Sequence, residues 1–283
     1  MSSETEYGGS IFEGVKLPPR PAIVVAINNE IAKPQPDFNK IAGLLEQDPA
    51  MVLKLLKIIN SPLFGCKDEI TSIRTALSLM GLQNLYTMVV TAAAQDALGF
   101  NSAEVDELWR HSVHVARLCQ EIANGVKGVS PEDAYLAGLF HDGAIPVLLT
   151  MYPLYKEIVE RVVSTGGDIA AIEEKKFNTH HAAVGAYLAH SWGFPVHIYK
   201  TIRLHHGDSL DMFGDDKSKR LGAILMLADY LARCVNSEGA NEDSHSARWE
   251  RLLAGIQQLL GIKVEQFSQF EQRAVELAQA DKQ

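Results

Sequence analysis

Apolar residues recur along this chain at three- and four-residue spacings and nowhere alternate over a useful length, which is the pattern of amphipathic helices. Ile23, Ile27 and Ile31 mark one face of a helix predicted over 22–32. Pro34 and Pro36 end it, and Asp37 reads as the N-cap of a helix running to 45. Asp48-Pro49 repeats the device, with the acid as cap and the proline at the first helical position. The helix that follows carries Met51, Leu53, Leu55, Leu56, Ile58 and Ile59, apolar nearly all round, which predicts a central place in its subdomain. Asn60-Ser61-Pro62 stops it. Thr71-Ser72 starts a helix that Gly81 closes as a C′ residue, and 83–97 forms another.

The second half follows the same period. Helices are predicted over 102–125, from Ser130-Pro131-Glu132 through His141 and Asp142, and over 153–165, 169–176, 180–192 and 195–205. Three more cover 219–235, 248–260 and 264–278. The expected fold is all-α. It divides into a loose arm (1–16), an N-terminal helical subdomain (17–100), a helical bundle (101–235), and a polar loop with C-terminal helices packing back on that bundle (236–283).

Composition narrows the class. At 283 residues and 47% hydrophobic, the chain suits one large globular domain or two smaller ones. A net charge of −9 argues against a sequence-independent grip on nucleic acid, which needs a basic surface. Cys66, Cys119 and Cys234 are scattered with no CxxC spacing and read as reduced, semi-buried thiols. No apolar run approaches the length of a membrane span, and residues 1–10 lack the order of a signal peptide. A cytoplasmic protein is expected.

The candidate chemistry starts from Gly138-Leu139-Phe140-His141-Asp142-Gly143-Ala144-Ile145. Two adjacent ionisable groups inside an apolar segment, 134–149, require partners, because burying an unpaired charge is unfavourable. Glu107 and His111 stand four apart on one helix face, His181 opens a helix, His205 and His206 end one before Gly207, and Asp229 lies mid-helix. Together with His141 and Asp142 these eight form a candidate site for one or two divalent metals, with Asp142 suited to flank one ion or bridge two. Imidazoles and carboxylates without a thiolate favour iron or manganese ahead of zinc. His114, His180, His190, His197 and His245 are assigned to hydrogen-bonded positions instead. Glu173-Glu174-Lys175-Lys176 reads as a solvated face.

The order His111 with Val115-Ala116, His141-Asp142, and Asp229 in Ala-Asp-Tyr resembles the HD superfamily of metal-dependent phosphohydrolases. Glu107, His181, His205 and His206 resemble the fuller ligand set of its HD-GYP branch. Leu17-Pro18, Asp48-Pro49, the run from Leu55 to Asn60-Ser61, Ile73 to Ala76 and Leu79-Met80-Gly81 are similar to HDOD, the HD-related output domain. His181-Ala182-Ala183-Val184-Gly185 and Trp192-Gly193-Phe194-Pro195 match that family as well. The resemblance covers 17–235 and implies a bacterial, all-helical, signal-transduction module in which many members lack catalysis and the metal ligands.

Two departures matter. The ligand positions are retained here. In contrast, Gly143-Ala144-Ile145-Pro146 stands where active relatives have Ile-Gly-Lys, and Gly207-Asp208-Ser209-Leu210 replaces the Gly-Tyr-Pro motif. An apolar Ile145 cannot stabilise phosphate charge. The expectation is therefore a regulatory module with a retained metal site, acting on a protein partner in a signalling pathway, with no role at a membrane. The alternative is a phosphohydrolase acting on a phosphorylated small molecule or nucleotide, with Asp142 central to catalysis. Efficient cyclic di-GMP hydrolysis is not expected, because Asp208 and Asp211 also place acid beside the site.

Overall fold

The computed structural model describes residues 16–60, 69–100, 105–159, 169–236 and 246–280. The predicted arm, Ser61-Pro62, Cys66, the helix start at 102, most of the second half of 153–165, and most of the polar loop with His245 lie outside them. Among the described residues every regular element is helical.

The N-terminal helices are α1 (Ala22–Ile31), α2 (Phe38–Glu46), α3 (Pro49–Ile59) and α4 (Ile73–Ala97). Their starts follow the chain's polar signals. Asp37 accepts from the Asn39 and Lys40 amides, Asp48 from Met51, and Ser72 from Thr75, so each satisfies helix-end N–H groups that have no intrahelical partner. Gly81 adopts φ 78, so α4 runs on as two helical stretches joined at a kink. The Asn60 side chain brackets the Ile70 backbone, donating to its carbonyl and accepting from its N–H, both at 2.8 Å. Two expectations change in detail. The inward face of α1 centres on Val24, Ile27 and Glu30, with Ile23 and Ile31 only half-buried. Nor is α3 surrounded: Met51, Leu55 and Ile59 point inward while Leu53 is 70% exposed, because α4 and α2 cover it from one side.

The remaining helices are α5 (Asp106–Gly125), α6 (Pro131–Phe140), α7 (Ile145–Met151), α8 (described over 155–159), α9 (Ile169–Phe177), α10 (His181–Ser191) and α11 (Val196–Leu204). A 3-10 turn (Leu210–Phe213) leads to α12 (Asp216–Asn236), α13 (Ser246–Leu260) and α14 (Val264–Ala280). Helices α5, α6, α11 and α12 pack on one another, with α10 against α11, and α14 lies across α5 and α12. His114 ties that last contact: its Nε2–H donates to the Ala274 carbonyl at 3.0 Å, and burial pushes its pKa down to about 4, so it is neutral. Helix α4 touches α6, and the Trp192 indole N–H donates to the Pro18 carbonyl at 3.1 Å. The N-terminal lead-in is thus fastened to the second half.

Two stretches, Ile73–Ala97 and Pro131–Met151, have the length and composition of a membrane span, contrary to the expectation that none approached it. Both are mostly buried among the other helices, and the second is interrupted by a turn at 141–144. That turn also corrects the placement of His141 and Asp142, which sit at the junction of α6 and α7 instead of inside one helix. Of the thiols, Cys119 is buried and Cys234 exposed.

Helices α5 and α6 approach closely at Gly138 of α6. A Cβ there would lie 2.7 Å from the Cα and 2.9 Å from the N of Ala116 on α5, contacts no real structure tolerates. This crossing sets His111 against His141. Gly138→Ala is therefore expected to destabilise the fold by about 1–3 kcal/mol through overpacking. Gly43→Ala, where nothing lies within 4 Å of the added Cβ, should be neutral or stabilising by about 0.5–1 kcal/mol. Urea denaturation of the two variants checks the contrast; equal effects would contradict the assigned crossing.

Candidate metal centre

Five helices deliver side chains to one place. His111 comes from the second turn of α5, and His141 and Asp142 from the turn after α6. His181 is the first residue of α10, His205 and His206 follow α11, and Asp229 projects from α12. The carboxylate of Asp142 is the hub. Its Oδ2 lies 3.2 Å from His141 Nε2 and 3.9 Å from His111 Nε2. Its Oδ1 lies 3.3 Å from His181 Nε2 and 3.8 Å from His205 Nε2. Asp229 Oδ1 completes the first side, 3.2 Å from His111 Nε2 and 3.7 Å from His141 Nε2. His206 completes the second, with Nε2 2.8 Å from that of His181.

Three imidazoles are held with the same nitrogen inward. The Nδ1–H of His141 donates to the Gly138 carbonyl, that of His205 to the Ile202 carbonyl, and that of His181 to Glu173 Oε2, each at 2.7 Å. Each ring therefore presents Nε2 to the centre. His141 Nε2, His205 Nε2 and Asp142 Oδ1 are buried without a hydrogen-bond partner. Orphaned buried polar atoms are unfavourable unless something coordinates them, and these three converge. Two groups of ligand atoms lie within 4.8 Å of one another: His111, His141 and Asp142, and Asp142, His181, His205 and His206. A divalent cation fits this nitrogen-and-oxygen set, and Asp142 belongs to both groups.

Electrostatics keep the donors ready. Burial, aided by the neighbouring His141 and His181, pushes His205 down to about 3, and burial with His205 lowers His206 in the same way. Burial opposes the charge on Asp142 and Asp229 but is overcome, by His141 and His181 at Asp142 and by Arg233 and His111 at Asp229, so both stay well below the usual carboxylate range. Arg233 donates Nε–H to Asp229 Oδ1 at 2.9 Å.

Seven of the eight sequence-predicted residues meet here. Glu107 does not join them: it is exposed and makes none of these contacts. The residue that sequence reasoning missed is Glu173. The run 173–176 is a solvated face only at Glu174, Lys175 and Lys176; Glu173 is fully buried. Its Oε2 accepts from the backbone N–H of His181 at 2.8 Å as well as from the ring, and its Oε1 accepts from the Tyr155 hydroxyl. The signal was present, since Ala170, Glu173 and Phe177 form an inward i, i+3, i+7 stripe with an acid at its centre. Two of the isolated histidines are hydrogen-bonded as assigned, His197 to Asp133 at 2.7 Å and His180 as the cap of α10, and His190 packs edge-on to Tyr199.

An all-helical domain with a buried His/Asp cluster is the class that fold and site define. The HDOD domain model matches residues 17–207, and the chain belongs to that family. The crystal structure of an HDOD domain protein of unknown function from Geobacter sulfurreducens is similar over 98% of this chain and 96% of its own, at 26% identity and a TM-score of 0.77. An uncharacterized protein of Treponema pallidum is 26% identical over 209 residues, 73% of this chain and 41% of its own length. The cyclic di-GMP phosphodiesterase CdgJ of Vibrio cholerae is 28% identical over 147 residues, 50% of this chain and 33% of its own. The chain spans less than half the length of these two curated relatives.

One pH dependence follows. Burial alone would lower His181, but the Asp142 and Glu173 carboxylates override it and raise its pKa to about 10. In metal-free protein this stabilisation is complete below the unfolded value of about 6.5 and is lost as pH rises through about 10. A metal held by His181 would have to displace that proton, so affinity should rise with pH between about 6 and 9. Calorimetry of manganese(II) binding in buffers of different ionisation enthalpy measures the release; binding without proton release would contradict it.

Proposed function

We propose that the chain is a regulatory, signal-transduction HDOD module, cytoplasmic and acting on a protein partner, whose cluster holds one or two divalent transition metals, iron or manganese ahead of zinc. The observation that carries the metal is the convergence of three orphaned buried ligand atoms, His141 Nε2, His205 Nε2 and Asp142 Oδ1. His111, His141, Asp142 and Asp229 would hold one ion, and His181, His205 and His206 with Asp142 a second. The regulatory half of the reading is supported by the family. Exposed Leu53 and Leu79, on the N-terminal helices, supply apolar surface for contact.

A second reading, hydrolysis of a phosphoester, is favoured by Arg233. Ile145 is buried and offers no charge, but the half-exposed Arg233 guanidinium beside Asp229 puts a cation at the cluster from α12. The acidic loop is also less repulsive than its sequence, because Lys219 pairs with Asp211 at 2.7 Å. A bound divalent ion would supply Lewis-acid polarisation of a phosphoryl oxygen. The residues themselves would orient it, with Asp142 between both ligand groups.

Elemental analysis of protein purified without chelator and reloaded should find at least one transition metal per chain. Asp142→Asn should lower affinity by about 10–100-fold and His190→Ala should leave it unchanged. Absence of stoichiometric metal would sink the reading. In a metal-loaded assay with Asp142→Ala as the blank, slow turnover of an aryl phosphodiester is expected, and none of cyclic di-GMP at ordinary enzyme rates, above about one per second. Fast cyclic di-GMP turnover abolished in the blank would replace the regulatory reading with an enzymatic one.

A further inference from the structure

The two ligand groups are braced differently. His141 and His205 each follow a helix, and each sends its Nδ1–H to a carbonyl three residues upstream. His181 opens α10, so its own helix has no upstream turn to offer. Its acceptor comes instead from α9, and it is a carboxylate. Glu173 has no solvent contact, and its oxygens take the His181 ring N–H, the His181 backbone N–H and the Tyr155 hydroxyl. Three donors on one buried carboxylate leave it few ways to move. A carboxylate behind an imidazole also makes the facing nitrogen a stronger ligand than a carbonyl does. The hydrogen bonds and ion pairs of Glu173 go to His181 and Tyr155, and none joins it to His111, His141 or Asp229.

We propose that Glu173 is a positioning residue for one ion only: through His181 it decides whether the centre holds a second metal in the group Asp142, His181, His205 and His206. The proposal rests on the metal reading above. A merely structural Glu173, tying α9 to the start of α10, would lower stability without separating the two ions.

The probe is manganese(II) alone, titrated into the full chain by equilibrium dialysis with elemental analysis, and followed by electron paramagnetic resonance. Wild type is expected to bind two ions with the spectrum of an exchange-coupled pair. Glu173→Gln keeps the side-chain volume and should hold one ion at wild-type affinity and the other about 10–100-fold more weakly, giving the spectrum of an isolated ion. Equal weakening of both ions, or retention of both at wild-type affinity, overturns the proposal. Should Glu173→Gln fail to fold, Tyr155→Phe decides, since it leaves the carboxylate but removes one of its three donors. It should loosen the same ion by a smaller factor, and unchanged binding overturns the proposal. Wild type holding a single ion overturns this proposal but keeps the metal reading; wild type holding none removes both.

Discussion

The centre depends on where three buried imidazoles send their Nδ1 protons. Each is occupied by an acceptor fixed to the scaffold, two by backbone carbonyls and one by Glu173, so each ring must present its other nitrogen to Asp142. A neutral imidazole has one donor and one acceptor, and satisfying the first aims the second. In this way ordinary helix-end chemistry becomes a ligand set. The carbonyls of Gly138 and Ile202 belong to the last turns of α6 and α11, where backbone acceptors have no intrahelical partner.

That arrangement needs the helices close. Gly138 lets α6 approach the backbone of α5, which brings His111 within reach of the turn after α6. Gly185 brings α10 close to the same turn, where a Cβ would lie 3.3 Å from the Ile202 side chain and 3.4 Å from the Phe140 carbonyl. The Trp192 bond to Pro18 ties the N-terminal lead-in to this half, and the Arg20 bond to the Tyr86 hydroxyl ties that lead-in to α4. Motifs far apart in the chain meet because the fold is one fastened unit.

Charge is arranged around the cluster with the same economy. Asp142 and Asp229 are acids in a largely buried place, held ionised by imidazoles and by Arg233. His205 and His206 are neutral because burial and adjacent rings disfavour a second cation there. The cluster therefore combines anionic oxygens with the neutral nitrogens of His205 and His206, while His181 keeps a proton that a divalent ion would have to displace.

Periodicity, caps and punctuation in the sequence were enough to establish the all-α class, the helix starts at Asp37, Asp48, Ser72 and Ser130, and the break at Gly81, because these are local properties of a few neighbouring residues. Seven residues of the cluster were also legible, because ionisable groups in apolar segments stand out. Glu107 was placed on the face of His111 by spacing alone. Spacing says which side of a helix a residue occupies but not whether that turn reaches the centre, and this one ends in solvent. Leu53 failed in the opposite sense, since an apolar residue on an all-apolar helix does not reveal which side lacks a neighbour. Only the tertiary structure decided that His141 and Asp142 occupy a turn, that the two oxygens of Asp142 face different ligand groups, and that Glu173 is buried behind His181. Each of these depends on a partner distant in sequence, and the chain's local pattern carries no term for the neighbour a side chain will meet.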